Sequence, residues 1–409
     1  MRQPGAIVIG GDYRGLGVVR SLGRRGIPVW VLYDEHRLAC VSRFAQRSLA
    51  WPTEATEMEQ IDYLLHLGAA CKLDGWALFP TGDETAALIA RHHEQLSHAF
   101  RLTTPPWHVL RWAYDKRLTY RLAMRLGVDC PWTRYPHDRA NVAQLACPFP
   151  VVVKPAIKPQ ANALTVAKAW RADNQHELLA RYDAACELLD PKLLMIQEMI
   201  PGGGEQQLSV AALCVAGQPL ARIVARRIRQ YPMDFGRAST YVESIEDAAL
   251  EATAVRMLGA MRYNGLVEVE FKRDPRDGRP KLLDMNPRVW GWHTLGQRAG
   301  TDFAHLQWRA SQGEPPAAVH AQAGVRWVRL TTDVPTALRE AARGQLSPGE
   351  YLRSLRGPLE YATLAPDDPL PALLEVPLLV CLGATRAIAH RTRGLASFKK
   401  RWAAPSATG

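Results

Sequence analysis

The sequence predicts two successive architectures, an α/β unit followed by an α+β unit. Near the N-terminus, the apolar strand AIVIG at 6–10, a glycine-rich turn, a helix and the strand IPVWVLYD form a βαβ pattern. Further along, successive strands are joined by hairpin turns at 217–219 (GQP) and 277–278 (DG), which favours antiparallel pairing. The proline-rich break at 103–106 (TTPP) marks the boundary between the two patterns.

Length and composition limit the class of protein. The 409 residues allow roughly two or three domains at ~100–200 residues each. Hydrophobic residues make up 47% and charged residues 22% of the chain, and we find no uncharged apolar run of 18 residues. These values argue against disorder and against a membrane-spanning helix. The first apolar run is interrupted by glycines and Asp12 and has no small-residue cleavage site, so we expect a cytoplasmic protein.

The formal net charge of +11 allows nucleic acid, a membrane or an anionic metabolite as partner. Arginine is spread along the chain without the aromatic-basic repeats typical of nucleic-acid modules, so we expect no nucleic-acid partner. The C-terminal segment differs, because the basic stretch at 386–401 follows the apolar stretch LPALLEVPLLVCLGA. This order is compatible with a helix lying peripherally on the inner face of an anionic membrane. Packing of that helix on its own protein is the alternative.

The first unit carries two features that could face a ligand. The turn GGDYRGLG could cradle a phosphate, with Asp34 placed roughly where a dinucleotide-binding acid would follow. The charged and aromatic residues in this turn make it a poor match to the GxGxxG pattern. Asp83 and Glu84 follow the strand WALFP, at the sheet edge where open α/β sheets bind ligands. Helix capping accounts for this acidic pair equally well.

The hairpin GLVEVEFKRDPRDGRPKLLDMNPR carries the main chemical signal. In an extended strand Glu268 and Glu270 share one face, and Asp284 and Asn286 share one face of the partner strand. Neighbouring buried acids are costly unless they are paired or bind a metal, and oxygen ligands of this kind suit magnesium. Arg288 follows with a planar fork suited to phosphate oxygens or an oxyanion. A solvated hairpin face is the alternative interpretation.

These residues carry a resemblance to a known family. The hairpin resembles the closing metal site of the ATP-grasp superfamily, in which an acid before an aromatic residue precedes an acidic-x-Asn-Pro-Arg element. Glu270, Asp284, Asn286 and Arg288 match this pattern at the spacing familiar from carbamoyl phosphate synthetase and biotin carboxylase. Asp284 stands where glutamate is commoner, which shortens the ligand and keeps its charge.

The sequence after Arg288, VWGWHTLGQRAGTDF, resembles a branch of predicted carboxylate-amine ligases. The resemblance implies that Trp290, Trp292 and His293 lie near the active site. Aromatic residues that close the core are the alternative.

The resemblance also implies a nucleotide site along the chain. Two lysines match those that bind ATP phosphates, the segment QEMIPG resembles the hinge beside adenine, and a glutamate beyond it has the spacing of a ribose contact. The implied cofactor-binding residues are Lys116, Lys154, Lys168, Gln197, Glu198, Ile200 and Glu205. The stretch AIKPQANALTVAKAW lacks the glycines of the family's phosphate loop, so closure of a loop over ATP stays open; Lys158 and Lys168 offer substitute charges.

The fold implied is a Rossmann-like pre-ATP-grasp domain at 1–105, an ATP-grasp domain at 106–310 and a C-terminal extension at 311–409. The implied activity is an ATP- and Mg²⁺- (or Mn²⁺-) dependent ligase that activates a small carboxylate as an acylphosphate, joins it to an amine or thiol, and releases ADP and phosphate. Arg288 would steady the oxyanion, and Arg227 with Arg226 would bind the substrate carboxylate. A carboxylase-type ATP-grasp enzyme and a non-catalytic, membrane-associated regulator are the alternatives, and a homodimer is left open.

Overall fold

A computed structural model describes residues 3–157, 162–231, 236 and 238–402, with backbone alone at 166 and 388–402. Within these residues the chain forms one five-stranded sheet, one small four-stranded sheet and one eight-stranded sheet. The two larger sheets share a hydrophobic core, in which Leu16 and Val18 of the first helix meet Trp290 and Trp327. This shared core brings the N-terminal sheet beside the hairpin that the sequence singles out.

The N-terminal sheet is parallel throughout. Its elements are β1 Ala6–Ile9, α1 Tyr13–Gly23, β2 Val29–Tyr33, β3 Arg47–Ala50, α2 Glu57–Cys71, β4 Ala77–Pro80, α3 Asp83–Arg91, α4 His93–Ser97 and β5 Arg101–Leu102. The strand order is β3-β2-β1-β4-β5. Strands β1 and β4 are fully buried because a parallel sheet is covered on both faces, which explains their continuous apolar runs.

Backbone N–H groups of the glycine-rich turn after β1 are bonded to a side chain of the same turn. The Asp12 carboxylate accepts hydrogen bonds from the backbone N–H groups of Arg14 and Gly15 at the start of α1. A Cβ atom on Gly17 would lie 2.5 Å from the His293 ring, so a glycine there permits close helix packing. These residues of the turn therefore cap and pack α1, and the phosphate-cradle interpretation stays a prediction.

The small sheet is antiparallel and has the order β6-β9-β7-β8. The elements of this region are α5 Trp107–Tyr114, α6 Lys116–Arg125, β6 Thr133–Arg134, α7 Arg139–Ala143, β7 Val151–Pro155, α8 Ala163–Ala167, β8 Trp170–Ala172, α9 Gln175–Cys186 and β9 Leu194–Glu198. Val151, Val153, Leu194 and Ile196 alternate inward on β7 and β9, against Tyr182 of α9.

The large sheet has the strand order β14-β13-β10-β11-β12-β16-β17, with β15 paired to β11. Its region comprises β10 Gln207–Val215, β11 Gln218–Tyr231, β12 Ala238–Ile245, α10 Ala248–Ala260, β13 Gly265–Arg273, β14 Pro280–Asn286, α11 Thr294–Arg298, α12 Phe303–Ser311, β15 Val319–His320, β16 Arg326–Val328, α13 Leu330–Ala342, α14 Pro348–Ser354, β17 Leu359–Tyr361 and α15 Leu370–Trp402. The predicted hairpin is β13–β14, and the predicted strand in GVRWVRLTTDV is β16, which joins this sheet. Strand β12 was not predicted from the sequence.

The last helix, α15, is 33 residues long. Among the described helices it contains one window, Leu370–Ala387, that is long and apolar enough to cross a membrane by length and composition. That window has a mean hydropathy of 1.5 and is 11% buried. The helix therefore differs from a core helix, which would be mostly buried.

Candidate functional site

The hairpin brings the predicted metal ligands together. In the antiparallel register of β13 and β14, Glu270 lies opposite Asp284 and Glu268 lies opposite Asn286. The Asn286 amide nitrogen donates to Glu268 Oε2 at 3.1 Å and to Glu270 Oε1 at 2.8 Å. Three of these side chains therefore meet within hydrogen-bond distance, which confirms the face sharing predicted from the strand period.

Glu268 is buried in the hairpin, with 4% of its surface exposed. Its Oε1 atom accepts hydrogen bonds from Ser209 at 3.0 Å and from the Trp292 indole at 2.8 Å. Burial, with the adjacent charge of Glu270, raises the pKa of Glu268 to about 7. Burial acts the same way on Glu270, but the Arg227 and Lys168 charges outweigh it and lower the pKa of that carboxyl.

Cationic side chains balance the acids. Lys116 Nζ lies 2.7 Å from Asp284 Oδ1, and Arg227 Nη2 lies 3.7 Å from Glu270 Oε1. Lys154 comes from the end of β7, where burial and the neighbouring Lys116 charge lower its pKa to about 7. The nearby Asp284 and Glu270 charges offset this lowering only in part, so a bound anion would favour the charged form of Lys154.

Arg288 is held from the N-terminal sheet. Its Nε atom lies 3.0 Å from Asp83 Oδ1, at the start of α3, and its Nη2 atom donates to Asn286 Oδ1 at 3.1 Å. Asp83 therefore orients the guanidinium in addition to lying in the first turn of its helix. The sequence left capping and a site-facing role open for this residue, and the geometry supports the second.

Two adjoining cavities run past these groups. The first, about 110 Å³, is bounded by β7, β9 and the hairpin. Its lining includes Val152, Lys154, Lys168, Ala169, Gln197, Glu198, Met199, Ile200, Gln207, Glu270, Lys272, Leu283 and Asp284. The second, about 280 Å³, is lined by Tyr13, Arg14, Thr165, Lys168, Arg227, Ala238, Ser239, Glu268, Glu270, Asp284, Asn286, Arg288, Gly291 and Trp292. Lys168, Glu270 and Asp284 border both, so the cavities meet at the hairpin acids.

A third cavity of about 500 Å³ lies at the carboxyl edge of the N-terminal sheet. Asp12, Asp34, Asp83 and Glu84 line it, and Arg14 lines both this cavity and the one beside the hairpin. Arg14 is held by Asp12, whose Oδ2 accepts from Nε at 2.8 Å. Arg14 therefore lies between the cavity of the N-terminal sheet and the cavity beside the hairpin.

Comparison with known proteins supports one family. A family model described as ATP-grasp in the biosynthetic pathway with Ter operon matches residues 190–333, which include the hairpin. The carbamoyl phosphate synthase large chain of Halomonas eurihalina is 26% identical over 199 residues, which cover 46% of this chain and 18% of that protein. The chain is thus similar, over part of its length, to proteins of the ATP-grasp superfamily.

Solved structures show the same ATP-grasp fold. L-amino acid ligase from Bacillus licheniformis superposes with a TM-score of 0.58 at 18% identity, covering 76% of this chain and 75% of that one. The biotin carboxylase domain of Hydrogenobacter thermophilus 2-oxoglutarate carboxylase, solved with MgADP and bicarbonate, gives 0.62 at 15% identity, with coverage of 80% and 74%. The mixed α/β architecture predicted from the sequence is confirmed at this level.

The predicted hinge residues differ in how they are held. The Gln197 side chain donates to Tyr120 at 2.8 Å and to Thr133 at 2.9 Å. The Glu198 carboxylate accepts from the Trp132 backbone at 2.9 Å and pairs with Arg276 at 2.9 Å. Both residues line the smaller cavity, but their side chains are held by these bonds. The backbone of the hinge and its apolar neighbours are therefore the groups available to a ligand.

The remaining predicted nucleotide residues lie around that hinge. The Ile200 carbonyl accepts from Lys272 Nζ at 2.9 Å, and the Ile200 side chain is buried. Glu205 is exposed and accepts from the Gly203 backbone at 3.0 Å, outside the lining of the two cavities. Lys168 lines both cavities and donates to the Gly236 carbonyl at 3.0 Å. Lys158 falls outside the described residues.

The aromatic residues after Arg288 divide between two roles. Trp292 borders the larger cavity and binds Glu268, as the family resemblance implied. Trp290 is fully buried against Phe303, and His293 is buried against the Trp290 carbonyl, as core residues. The sequence could not separate these roles because both kinds of aromatic residue share one apolar segment.

The two arginines predicted to face the cleft also separate. Arg227 is 7% exposed and borders the larger cavity, where it hydrogen-bonds to the Gln230 side chain at 3.2 Å and contacts Glu270. Arg226 pairs with Glu243 at 3.0 Å on an exposed part of β11. Adjacent strand residues point to opposite faces, so the expectation for Arg226 was wrong.

Sequence reasoning assigned no role to two residues of the site. Arg14 borders the site from the N-terminal unit, and Glu268 was noted only as a neighbour of Glu270. The period of two in β13 was a sufficient signal for Glu268, because it shares a face with Glu270. The position of Arg14 depends on how the two sheets pack, and local sequence carries no signal for that.

Proposed function

We propose that this chain is an ATP- and magnesium-dependent ligase that joins a small carboxylate to an amine. The observation that carries the proposal is the meeting of Glu270 and Asp284 with Lys116, Lys154 and Arg288 at the junction of two cavities. Two acids, two lysines and an arginine are a suitable set for a nucleotide triphosphate with its metal. The structure of similar fold named as an L-amino acid ligase supports a ligase reaction.

We place the nucleotide along the two cavities. The smaller cavity has apolar walls from Val152, Met199 and Ile200, which suit a purine ring. Glu205 lies outside that lining, so the ribose contact implied for it would require its side chain to turn toward the cavity. Lys154 and Lys168 line this cavity, Lys168 also lines the larger one, and Lys116 pairs with Asp284, which borders both; all three would bind the phosphates. In this arrangement residues 1–105 form the Rossmann-like pre-ATP-grasp domain, 106–310 the ATP-grasp domain, and 311–409 the C-terminal extension.

The hairpin residues fit magnesium. Glu270 and Asp284 supply carboxylate oxygens from paired positions, and magnesium prefers one or two protein carboxylates together with phosphate oxygens and water. Among the described residues no group of three or more His, Cys, Asp or Glu could hold a metal ion by itself. The Asn286 oxygen accepts from Arg288 here, so it would join the site by exchanging that bond. Bound magnesium would neutralise phosphate charge.

The protein side chains position the reactants. A carboxylate oxygen of the substrate attacks the γ-phosphorus, the bond to the β-phosphate oxygen breaks, and ADP leaves. The amine then attacks the acyl carbon, so that a C–N bond forms while phosphate leaves and the amine proton passes to solvent. Lys116 and Lys154 would stabilise the phosphate oxygens, and Arg288 would stabilise the oxyanion of the second step.

The substrate would enter from the N-terminal sheet. Arg14 and Arg227 border the larger cavity from opposite elements and could hold a carboxylate by paired hydrogen bonds. The adjoining 500 Å³ cavity has room for the remainder of a small molecule and is lined by carboxylates suited to an amine. The chain matches only 18% of the length of its curated relative, so that protein's substrates do not transfer directly.

A coupled ADP-release screen tests this function. We expect ADP release by the purified chain with magnesium and a suitable pair from a panel of carboxylates and amines. Mass spectrometry should detect the amide, and hydroxylamine should trap the acylphosphate when the amine is omitted. Asp284→Ala should abolish all three signals while leaving the circular dichroism spectrum unchanged. Tight ATP binding without substrate-dependent ADP release by any pair would instead support a non-catalytic nucleotide-binding protein. Release that requires bicarbonate and biotin would support a carboxylase.

A further inference from the structure

The first turns of α15 are anchored to the protein body. Glu375 is 2% exposed and accepts hydrogen bonds from Arg329, Thr331 and Thr363, each at 2.9 Å. Pro371 is buried, and Leu378 and Leu382 are half-buried on the same side of the helix. The inner face therefore follows the spacing i, i+4, i+7 and i+11 of a docked helix.

The opposite face of α15 is apolar and exposed. Leu373, Val376 and Val380 are 70%, 56% and 66% exposed and recur at i, i+3 and i+7, so they form one stripe. Neighbouring Leu370 and Leu379 are 47% and 39% exposed. Single exposed apolar residues are common, but an aligned set beside a window that is 11% buried indicates a surface with a partner.

The charge that follows selects the kind of partner. From residue 376 to the end, the sequence contains no Asp or Glu. It contains four arginines and two lysines, all within 386–401: Arg386, Arg391, Arg393, Lys399, Lys400 and Arg401. Arg386 itself pairs with Glu35 at the body surface. An apolar stripe that continues into a purely basic segment is complementary to an anionic lipid surface.

The anchored turns decide how α15 meets that surface. Glu375 lies inside the 18-residue apolar window, and its carboxylate is paired with Arg329 at 2.8 Å within the protein. Insertion of the whole window across a bilayer would break this buried pair and its hydrogen bonds. The helix therefore keeps its inner face on the protein and offers only its outer face to lipid.

We propose that α15 is an interfacial helix that holds the protein on an anionic membrane surface through the stripe Leu373, Val376 and Val380 and the basic segment 386–401. The nucleotide site does not depend on this contact, because none of the stripe residues lines its cavities. This surface would determine where the protein is located, and the proposal does not depend on which ligation reaction the protein catalyses.

Vesicle co-sedimentation of the full chain tests the proposal. We expect binding to phosphatidylcholine vesicles that contain phosphatidylglycerol, much weaker binding to pure phosphatidylcholine, and release by high salt. The double variant Leu373→Glu/Val380→Glu should weaken binding about a hundredfold, because two charges replace the inserted side chains. Met124→Glu is the matched control, since Met124 is 69% exposed on α6, and it should bind as the wild type does.

A second variant separates the charge from the stripe. Arg391→Gln/Arg393→Gln/Lys399→Gln/Lys400→Gln should also weaken binding to anionic vesicles about a hundredfold and remove its salt dependence. Unchanged binding of either variant, or no binding by the wild type, would overturn the proposal. The alternative partner of the stripe is a second copy of the chain, which light scattering tests. If the wild type is a dimer that does not bind vesicles, and Leu373→Glu/Val380→Glu is a monomer, the stripe is a dimer interface.

Discussion

Arg288 Nε lies 3.0 Å from Asp83 Oδ1, which connects the last residue of the hairpin motif to the first turn of α3. Both side chains are largely buried, at 10% and 11% exposure. The contact joins two parts of the chain separated by 205 residues. It makes the direction of the guanidinium depend on the N-terminal sheet as well as on the hairpin.

This contact predicts different effects for the two residues. Arg288→Ala should lower kcat for ADP release about a hundredfold or more, because a preorganised donor is lost. Asp83→Asn should lower it about tenfold, because the arginine stays but is less well oriented. Steady-state kinetics would measure both. Asp183→Asn is the matched control, since Asp183 pairs with Arg139 at the same 3.0 Å on an exposed surface. Equal kinetics for Asp83→Asn and the control would contradict the orienting role.

The hairpin acids predict how magnesium and nucleotide binding are linked. In the wild type, we expect the affinity for ADP to rise with magnesium concentration, measured by isothermal titration calorimetry. Asp284→Asn should remove that dependence and lower kcat about a hundredfold or more, because the ligand loses its charge. Asp277→Asn, in the exposed turn of the same hairpin, should keep the dependence. A magnesium response retained in Asp284→Asn would refute the metal assignment.

Lys154 predicts proton uptake on nucleotide binding. Burial and the Lys116 charge lower its pKa to about 7, so at pH 8 the free protein holds it mostly neutral. Bound phosphates favour the charged form and would raise this pKa, so that binding takes up ~1 proton at pH 8 and weakens as the pH rises from 7 to 9. Calorimetry in buffers of different ionisation enthalpy measures the uptake.

The control for this prediction keeps the charge fixed. Lys154→Arg should bind nucleotide without proton uptake at pH 8, because an arginine stays protonated. Lys192→Arg, at an exposed position, should leave the uptake unchanged.

In the nucleotide-free protein, the lowered pKa of Lys154 means that the unfolded chain binds more protons than the folded protein above pH 7. Its contribution to stability therefore increases with pH between 7 and the unfolded pKa of 10.5.

Two neighbouring aspartates predict how firmly the C-terminal region is tied to the first helix. Asp368 pairs with Arg20 at 2.9 Å and is 1% exposed, whereas Asp367 pairs with Arg24 at 2.7 Å and is 45% exposed. Asp368→Ala should lower the free energy of unfolding by about 3–5 kcal/mol, because Arg20 would be left buried and unpaired. Asp367→Ala should lower it by less than about 1 kcal/mol. Urea denaturation of both variants checks this difference, and similar losses would contradict it.

The sequence by itself determined the features that depend on local spacing. The period of two in GLVEVEF placed Glu268 and Glu270 on one face, and the Asp277–Gly278 turn fixed the hairpin that sets them opposite Asn286 and Asp284. The strands β1, β4, β7 and β9 could also be predicted, because each is a short apolar run in the sequence. Strand period and turn chemistry act over a few residues, so they can be read without knowledge of the fold.

Only the tertiary structure decided which distant groups share the site. The packing of the N-terminal sheet on the hairpin brings Asp83 and Arg14 to Arg288, and the docking of the hinge ties Glu198 to Arg276. The same packing placed Trp292 at the cavity while it buried Trp290 in the core. These outcomes depend on contacts between sheets whose segments are far apart in sequence. Which residues meet there is set by packing of the whole core, so it cannot be predicted from a short sequence pattern.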